Sequence, residues 1–267
     1  MSGINSMMLG SFRPAVGGGG VDSDTSLLLH FDGTEGSSTF TDSSANGYVF
    51  VRGSDGTGAA NITTVVKKFG TGSLTSLGGG GANRGLYLAG TKPTPLNLQS
   101  TDFTIEWWAD YATSSLAGVY GTGQAVFHIT MIKSSNVFQI EFSPNGTYTT
   151  PNGYVAIDFS NSTWNTGFRH YAVVKQGTGI KMYANGSALS GTVLSPSTNQ
   201  GKTAATYFAN GSPAVGKGVS STEGIAVADN WCFSDYGLRT AKMDELRIST
   251  VARYTANFTP STSAFGS

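Results

Sequence analysis

Acidic residues are the first side chains to consider, because hydrolysis of a glycosidic bond needs two carboxyl groups that flank the scissile bond. Side chains alternate between the two faces of a β-strand, so acids two or four residues apart share a face. Glu106 and Asp110 have this spacing in the run from Phe103 to Tyr111. Glu141 and Asp158 each stand alone in their own runs. This pattern is more typical of solvated strand residues than of a catalytic centre.

Nucleophilic and metal chemistry have few candidates in this chain. There are three histidines, His30, His128 and His170, and one cysteine, Cys232. No Cys/His cluster has the spacing of a zinc site. The histidines suit core or turn roles better than activation of a nucleophile. We therefore predict a protein that is not an enzyme, with a reduced thiol that packs as a small apolar side chain.

Aromatic rings beside amides and acids can bind sugars, because the ring stacks on C–H groups while the polar groups bind hydroxyls. The stretch from Ser220 to Thr240 holds such a set, and its candidate partner-binding residues are Asp229, Asn230, Trp231 and Tyr236. Trp108 is a second candidate, because it alternates away from the predicted core. A long loop of this kind could equally pack against a neighbouring subunit, and the sequence leaves both interpretations open.

Short strands must position these residues. The clearest alternation runs from residue 103 to 110, where Phe103, Ile105 and Trp107 share one face, predicted to be the core. Asn-Gly pairs at Asn145 and Asn185 predict tight turns between other apolar runs. No stretch has amphipathic helical spacing over three turns. The pattern predicts an all-β sandwich of two antiparallel sheets.

Composition narrows the range of partners. Charged residues make up 12% of the chain, and Lys plus Arg equals Asp plus Glu at 16 each. Without a net charge there is no field to attract nucleic acid or an anionic membrane. We therefore predict no nucleic-acid partner, and recognition through hydroxyls, amides and aromatic rings.

The first residues predict an arm outside the fold. Residues 1–26 lack apolar periodicity and contain four consecutive glycines at 17–20, which indicate a flexible hinge. Apolar residues that a partner could cover are Ile4, Met7, Met8, Leu9 and Phe12. The arm has neither the basic start and long apolar run of a signal peptide nor a span long enough for a membrane. We expect synthesis in a cytoplasm, no membrane insertion, and a folded domain from 27 to 267.

Five blocks of sequence, in order, carry a resemblance: 28–33 with 42–47, 69–74 leading to 85–88, 102–108, 164–186 and 242–260. Together they resemble the concanavalin A-like superfamily, in its laminin-G-like jelly-roll branch. The resemblance implies a two-sheet jelly roll across residues 27–260. The glucanases of that superfamily have a Glu-x-Asp-x-x-Glu pattern that this chain lacks. The last block is similar to jelly-roll domains carried by tailed-bacteriophage particles.

The resemblance also implies a possible structural calcium ion. Many relatives hold one with the Asp of the final strand and carbonyl oxygens near the first strand. Asp244 matches the final-strand position, and Asp32 with Gly33 matches the first-strand turn. Asp42 lies in the next turn. Alternatively, Asp244 only caps a turn through backbone hydrogen bonds.

These observations together predict a structural protein of a tailed-bacteriophage virion, in the capsid decoration or in the tail. Its lectin-like domain would attach to a host-surface glycan, and its arm would contact other virion proteins in a homo-oligomer. The alternative is a free-standing carbohydrate-binding or adhesion module of bacterial origin.

Overall fold

The computed structural model describes residues 21–52, 60–76, 86–88, 102–112, 116–121, 127–142, 155–164, 167–177, 179–193, 226–227 and 241–266. In these ranges one 3₁₀ turn, Lys133–Ser135, accompanies the strands. No helix among them is long and apolar enough to cross a membrane. The strands are β1 (Thr25–Leu29), β2 (Phe40–Thr41), β3 (Val49–Arg52), β4 (Ala60–Thr63), β5 (Ser73–Ser76), β6 (Leu86–Leu88), β7 (Phe103–Asp110), β8 (Leu116–Gly121), β9 (Phe127–Ile132), β10 (Val137–Phe142), β11 (Val155–Ser160), β12 (Arg169–Gln176), β13 (Gly179–Ala184), β14 (Ser187–Ala188), β15 (Gly191–Val193), β16 (Ala226–Val227) and β17 (Lys242–Ser249).

Two antiparallel sheets contain these strands. Sheet A has the order β14-β13-β12-β7-β17-β5-β4, with β1 also paired to β17. Sheet B has the order β15-β11-β10-β9-β8-β16-β6-β3-β2. One edge of β17 serves two partners, since Lys242 and Met243 pair with β5 whereas Leu246 to Ser249 pair with β1. The predicted all-β class with two antiparallel sheets is confirmed.

Alternation along β7 sends one set of side chains into the core between the sheets. Phe103, Ile105 and Trp107 have no exposed surface there, as the sequence predicted. The Trp107 ring stacks on Tyr171 with a centroid distance of 5.8 Å, and its indole N–H donates to the Tyr111 hydroxyl at 3.0 Å. Burying aromatic rings of this size, with the indole N–H satisfied, makes a large contribution to stability.

The opposite face of sheet A is also covered, by residues 250–266, which we call the C-terminal segment. Tyr254 packs with Val174 and Tyr183 at one end, and Phe265 packs with Leu28 and Trp108 at the other. The backbone N–H of Phe258 donates to the carbonyl of Gly186 at 2.9 Å, which joins the segment to the turn after β13. Sheet A is therefore buried on both faces along its central strands.

A charged network lies beneath the C-terminal segment. Glu106 and Arg247 occupy paired positions on β7 and β17, and both are buried. Arg247 Nε donates to Glu106 Oε1 at 2.9 Å, and the Tyr254 hydroxyl donates to Oε2 at 2.7 Å. His170 Nε2 lies 3.0 Å from Oε2. Burial alone would raise the pKa of Glu106, but these partners outweigh it and hold the pKa at about 2.

Residues before the predicted boundary also belong to the fold. The guanidinium of Arg253 donates to both carboxylate oxygens of Asp22, at 2.9 and 2.7 Å. β1 begins at Thr25, and Thr250 N–H donates to the carbonyl of Asp24. The described contacts of the fold therefore begin five residues before the predicted start of the domain at residue 27. The bidentate ion pair ties residue 22 to the C-terminal segment.

Asp244 fixes the loop between β4 and β5. Its Oδ2 accepts the backbone N–H groups of Lys68 and Phe69 at 2.7 and 3.1 Å, while its Oδ1 is buried without a hydrogen-bond partner. Burial raises the pKa of Asp244 to about 7, although the two backbone N–H groups oppose this shift. The loop is thus held by a carboxylate whose charge is poorly solvated.

The buried network predicts a large loss of stability on removing one charge. Glu106→Gln leaves the Arg247 guanidinium buried without a counter-charge, which should reduce the free energy of unfolding by about 3–5 kcal/mol. Because the folded-state pKa of Glu106 lies below its ordinary value of 4.5, the contribution of its charge is complete above about pH 4.5 and decreases as the pH falls toward 2. Urea unfolding measures both effects. The double variant Glu106→Leu with Arg247→Met should be less destabilised than the single variant, and a loss below about 1 kcal/mol in the single variant would contradict the network.

The contribution of Asp244 to stability should depend on pH in the direction opposite to that of Glu106. Its folded-state pKa lies above the ordinary 3.8, so the folded state binds a proton that the unfolded state has released. Stability should rise by up to about 1.4 kcal/mol per unit as the pH falls from 7 toward 4. The neighbouring His30, whose pKa is raised by its hydrogen bond to Glu245, acts in the same direction. The contribution of Asp244 is the difference between wild type and Asp244→Asn, measured by urea unfolding between pH 7.5 and 5.5. If the free energy of unfolding changes equally with pH in the two proteins, Asp244 does not contribute to the pH dependence.

Candidate functional site

The outer face of sheet B carries two rows of residues that cross the strands. Its outward positions follow from register, since the alternate residues Phe50, Leu86 and Ile140 are buried in the core. The first row crosses seven strands, and its members in order are Val51, Tyr87, Ala226, Gly121, His128, Glu141 and Ala156. The row therefore holds small residues at Ala226, Gly121 and Ala156, and residue types that can stack or form hydrogen bonds at Tyr87, His128 and Glu141.

The second row lies two positions away on β9, β10 and β11, and it continues to Gly118 on β8 and to Thr192 on β15. Its members in order are Gly118, Thr130, Gln139, Asp158 and Thr192. The side-chain amide of Gln139 donates to Asp158 Oδ1 at 2.9 Å. This bond fixes both side chains, and a carboxylate can accept about four hydrogen bonds, so Asp158 keeps capacity for a ligand.

Exposure changes along this face. Val49 and Val51 are 63% and 46% exposed at one end, and Ser160 and Thr192 are exposed at the other. Between them, Gln139 and Asp158 are half-buried, and Ala156 is fully buried. The described side chains are therefore exposed on β3 and β15, whereas Gln139 on β10 and Asp158 on β11 are half-buried and partly desolvated. Hydrogen bonds to a ligand are stronger in such a setting than on open surface.

Sequence reasoning missed this pair. Glu141 and Asp158 were expected to be isolated, yet the antiparallel pairing of β10 with β11 sets Gln139 opposite Asp158 and Glu141 in the adjoining row. The signal in the sequence was the alternation Phe138-Gln139-Ile140 and Ile157-Asp158-Phe159, which places one polar residue between two apolar ones in each run. Only the register of the two strands brings these residues together.

Trp108 does not line an open face. It alternates away from the core between the sheets, as predicted, but only 5% of it is exposed. Phe69 meets its ring edge-on at 5.5 Å, and the Lys68 ammonium lies 4.4 Å from its centroid. The expectation that it is available to a partner is wrong, because the C-terminal segment and the β4–β5 loop cover that face.

The other predicted partner-binding residues, Asp229, Asn230, Trp231 and Tyr236, lie outside the described residues. So do the predicted anchor residues Ile4, Met7, Met8, Leu9 and Phe12. Both groups stay predictions from the sequence.

Asp42, predicted as a calcium ligand, accepts hydrogen bonds that hold the turn after β2. Its Oδ1 accepts the backbone N–H groups of Leu28 and Ser44 at 3.0 and 2.9 Å. Its Oδ2 accepts the Ser44 hydroxyl at 2.8 Å and the Tyr48 N–H at 2.9 Å. These four bonds use the capacity of the carboxylate, so Asp42 has no lone pair for an ion.

The remaining predicted calcium ligands meet at the β4–β5 loop. Asp32 accepts the backbone N–H and hydroxyl of Thr71, and Gly33 N–H donates to the same hydroxyl. A Cβ on Gly70 would lie 2.1 Å from Asp32 Oδ1, so only glycine fits there. Asp244 binds the same loop two residues earlier, at the backbone N–H groups of Lys68 and Phe69.

Calcium takes about six to eight oxygen ligands. The neighbouring Glu245 is occupied by His30 at 2.8 Å and by the Phe265 N–H at 2.7 Å. Within the described ranges no three His, Cys, Asp or Glu side chains come together as a metal site. The buried Oδ1 of Asp244 alone does not make an oxygen cage. In the described residues Asp32 and Asp244 anchor the loop, and a bound calcium ion stays a prediction.

Comparisons of sequence identify no relative: no family model matches the chain, and no curated protein matches it. Solved structures do share its fold. The botulinum neurotoxin serotype C1 binding domain is 14% identical with a TM-score of 0.52, over 86% of this chain and 49% of that chain. The binding domain of botulinum neurotoxin DC in complex with SialylT is 12% identical with a TM-score of 0.51, over 86% and 48%.

A third solved chain comes from work on botulinum neurotoxin type C, whose cell entry depends on interaction with two ganglioside molecules. It is 12% identical with a TM-score of 0.52, over 87% of this chain and 49% of that chain. The protein thus spans about half the length of the solved chains that it matches. At these identities the similarity is one of fold, and the chain shares its antiparallel β-sandwich with neurotoxin receptor-binding domains.

Proposed function

We propose that this domain binds glycans through the outer face of sheet B. The observation that carries the proposal is the half-buried Gln139–Asp158 pair, oriented by its own hydrogen bond and flanked by the exposed Thr192. Sugars present many hydroxyls that both donate and accept, and amide, carboxylate and hydroxyl groups complement them. Tyr87 in the adjoining row adds a residue type that stacks on sugar rings.

The two sheets differ in what they can offer a ligand. The outer face of sheet A is closed by the C-terminal segment over Trp108, Glu106 and Val174. Sheet B keeps partly exposed polar side chains at its outward positions. Glycan binding by proteins of the same fold, including the neurotoxin domain solved with SialylT, supports this use of the architecture. Fold alone does not assign function, so the argument rests on the Gln139 and Asp158 site.

We further propose that the domain binds without catalysis. Of the two acids with glycosidase spacing, Glu106 is sealed in its ion pair, and its low pKa prevents it from donating a proton at neutral pH. Asp110 accepts the backbone N–H groups of Ala112 and Gly167 at 2.9 and 3.1 Å. Both acids are used to hold the sandwich together.

Glycan-array binding with the full chain tests the site on sheet B. Gln139→Ala and Asp158→Ala each remove hydrogen bonds to the ligand, and each should weaken binding about tenfold, since one such bond contributes roughly 1–1.5 kcal/mol. Val65→Ser is the matched control, because Val65 is 81% exposed on the β4–β5 loop of the other sheet. Unchanged affinity in both sheet B variants, at unchanged melting temperature, would contradict the site.

The loop predicted from the sequence is tested in parallel. Trp231 follows β16 by four residues, and β16 crosses sheet B beside Tyr87. Trp231→Ala should weaken glycan binding without changing the oligomer mass if the loop adds to the site. Loss of the oligomer instead would assign the loop to subunit contacts.

The setting in a tailed-bacteriophage virion remains our finer proposal, supported by the resemblance of residues 242–260 and by the apolar residues of the arm. Deleting residues 1–20 should leave the melting temperature unchanged, because the first ion pair of the fold starts at Asp22. The same deletion should abolish assembly with other virion proteins, or oligomer formation, in a sedimentation assay. Full incorporation of the truncated chain would refute the anchor. A monomeric full-length chain that still binds glycan would favour the alternative, a free-standing carbohydrate-binding module.

A further inference from the structure

The charge of the sheet B face has a definite sign. Asp158 is the acidic residue whose half-buried side chain the structure describes on this face, and Glu141 and His128 occupy paired register positions in the adjoining row. The described strands of this sheet contain one Lys or Arg, Arg52, which is exposed at the end of β3 in register with the core-facing Leu86 and not at an outward position of either row. At the described positions of the two rows, the face therefore offers hydrogen-bond acceptors and negative charge, and none of these positions holds a Lys or Arg to balance an anionic ligand.

We infer that this face binds neutral, extended glycans and discriminates against sialylated, uronic or sulfated ones. The inference rests on the proposed function and adds the class of sugar. Asp158 is half-buried beside Gln139, where water screens its charge less than at an open surface. An anionic sugar in this row would meet the carboxylate directly. A neutral sugar would donate its hydroxyls to that carboxylate in charge-assisted hydrogen bonds.

The length of the face points to a chain of sugars rather than one terminal sugar. The first row crosses seven strands, from β3 to β11. Five steps of about 4.8 Å each, from β3 to β10 and short of the buried Ala156, give about 24 Å. Gly121 and Ala226 are small residue types along the row that let a ligand approach the backbone closely, whereas Ala156 at the β11 end is fully buried. Contacts are thus spread over several rings, and each ring adds to the affinity.

The test is calorimetric titration of the full chain with neutral glucose, mannose and galactose oligosaccharides of one, three and six rings. Sialylated and sulfated forms of the preferred oligosaccharide are titrated beside it. We expect the six-ring ligand to bind at least tenfold more tightly than the single sugar, and the acidic forms at least tenfold more weakly than their neutral parent. Equal or tighter binding of the acidic forms overturns the charge argument. Equal affinity for one ring and six rings overturns the length argument.

Asp158→Asn separates charge from hydrogen bonding. The variant keeps an acceptor for Gln139 but removes the negative charge, so the ratio of acidic to neutral affinity should rise at least threefold. Asp24→Asn is the matched control, since it removes the same charge beside β1 of the other sheet, and it should leave the ratio unchanged. A ratio that does not change in Asp158→Asn, at an unchanged melting temperature, overturns the role of Asp158. If no neutral or acidic glycan binds the wild-type chain, the proposed function itself fails.

Discussion

The buried ion pair of Glu106 and Arg247 determines which faces of this sandwich are closed. Two charges removed from water are tolerated only if their hydrogen bonds are made inside the protein. Glu106 meets this requirement through hydrogen bonds with residues of three elements: Arg247 on β17, His170 on β12, and Tyr254 in the C-terminal segment. The segment therefore completes a polar network as well as an apolar layer. Because the network lies on the outer face of sheet A, that face belongs to the interior.

This arrangement gives the two sheets different roles. Sheet A has apolar contacts on both sides of β7, with Trp107 facing sheet B and Trp108 facing the C-terminal segment. Sheet B has its core side filled by residues such as Ile140 and Phe159, and its other side carries the Gln139–Asp158 pair. Sheet A, which is buried on both faces, supports sheet B. On sheet B, the hydrogen bond between Gln139 and Asp158 fixes the rotamers of these two side chains.

Local patterns in the sequence predicted the strands and the core face well, because alternation depends only on neighbouring residues. Phe103, Ile105 and Trp107 are buried for this reason. The other face of the same strand was expected to be solvated, and Glu106 and Trp108 are buried instead. What covers them lies about 150 residues later along the chain, in a segment without a strand of its own. The Gln139–Asp158 pair was missed because it depends on register between β10 and β11, which side-chain types alone do not specify. Asp42 was a candidate calcium ligand because it lies in the turn after Asp32 and Gly33, yet backbone N–H groups occupy both of its oxygens.

The position of β17 also affects how the protein can fold. This strand pairs with β7 along one edge and with β5 and β1 along the other, although its residues follow those of β1 by more than 200 positions. During synthesis, the strands β1, β5 and β7 are made long before the strand that joins them. Until residues 242–249 emerge, the middle of sheet A is missing and Glu106 has no guanidinium partner. Folding of sheet A must therefore wait until residues 242–249 have been made, and closure of such long loops makes it slow compared with sheets built from adjacent hairpins.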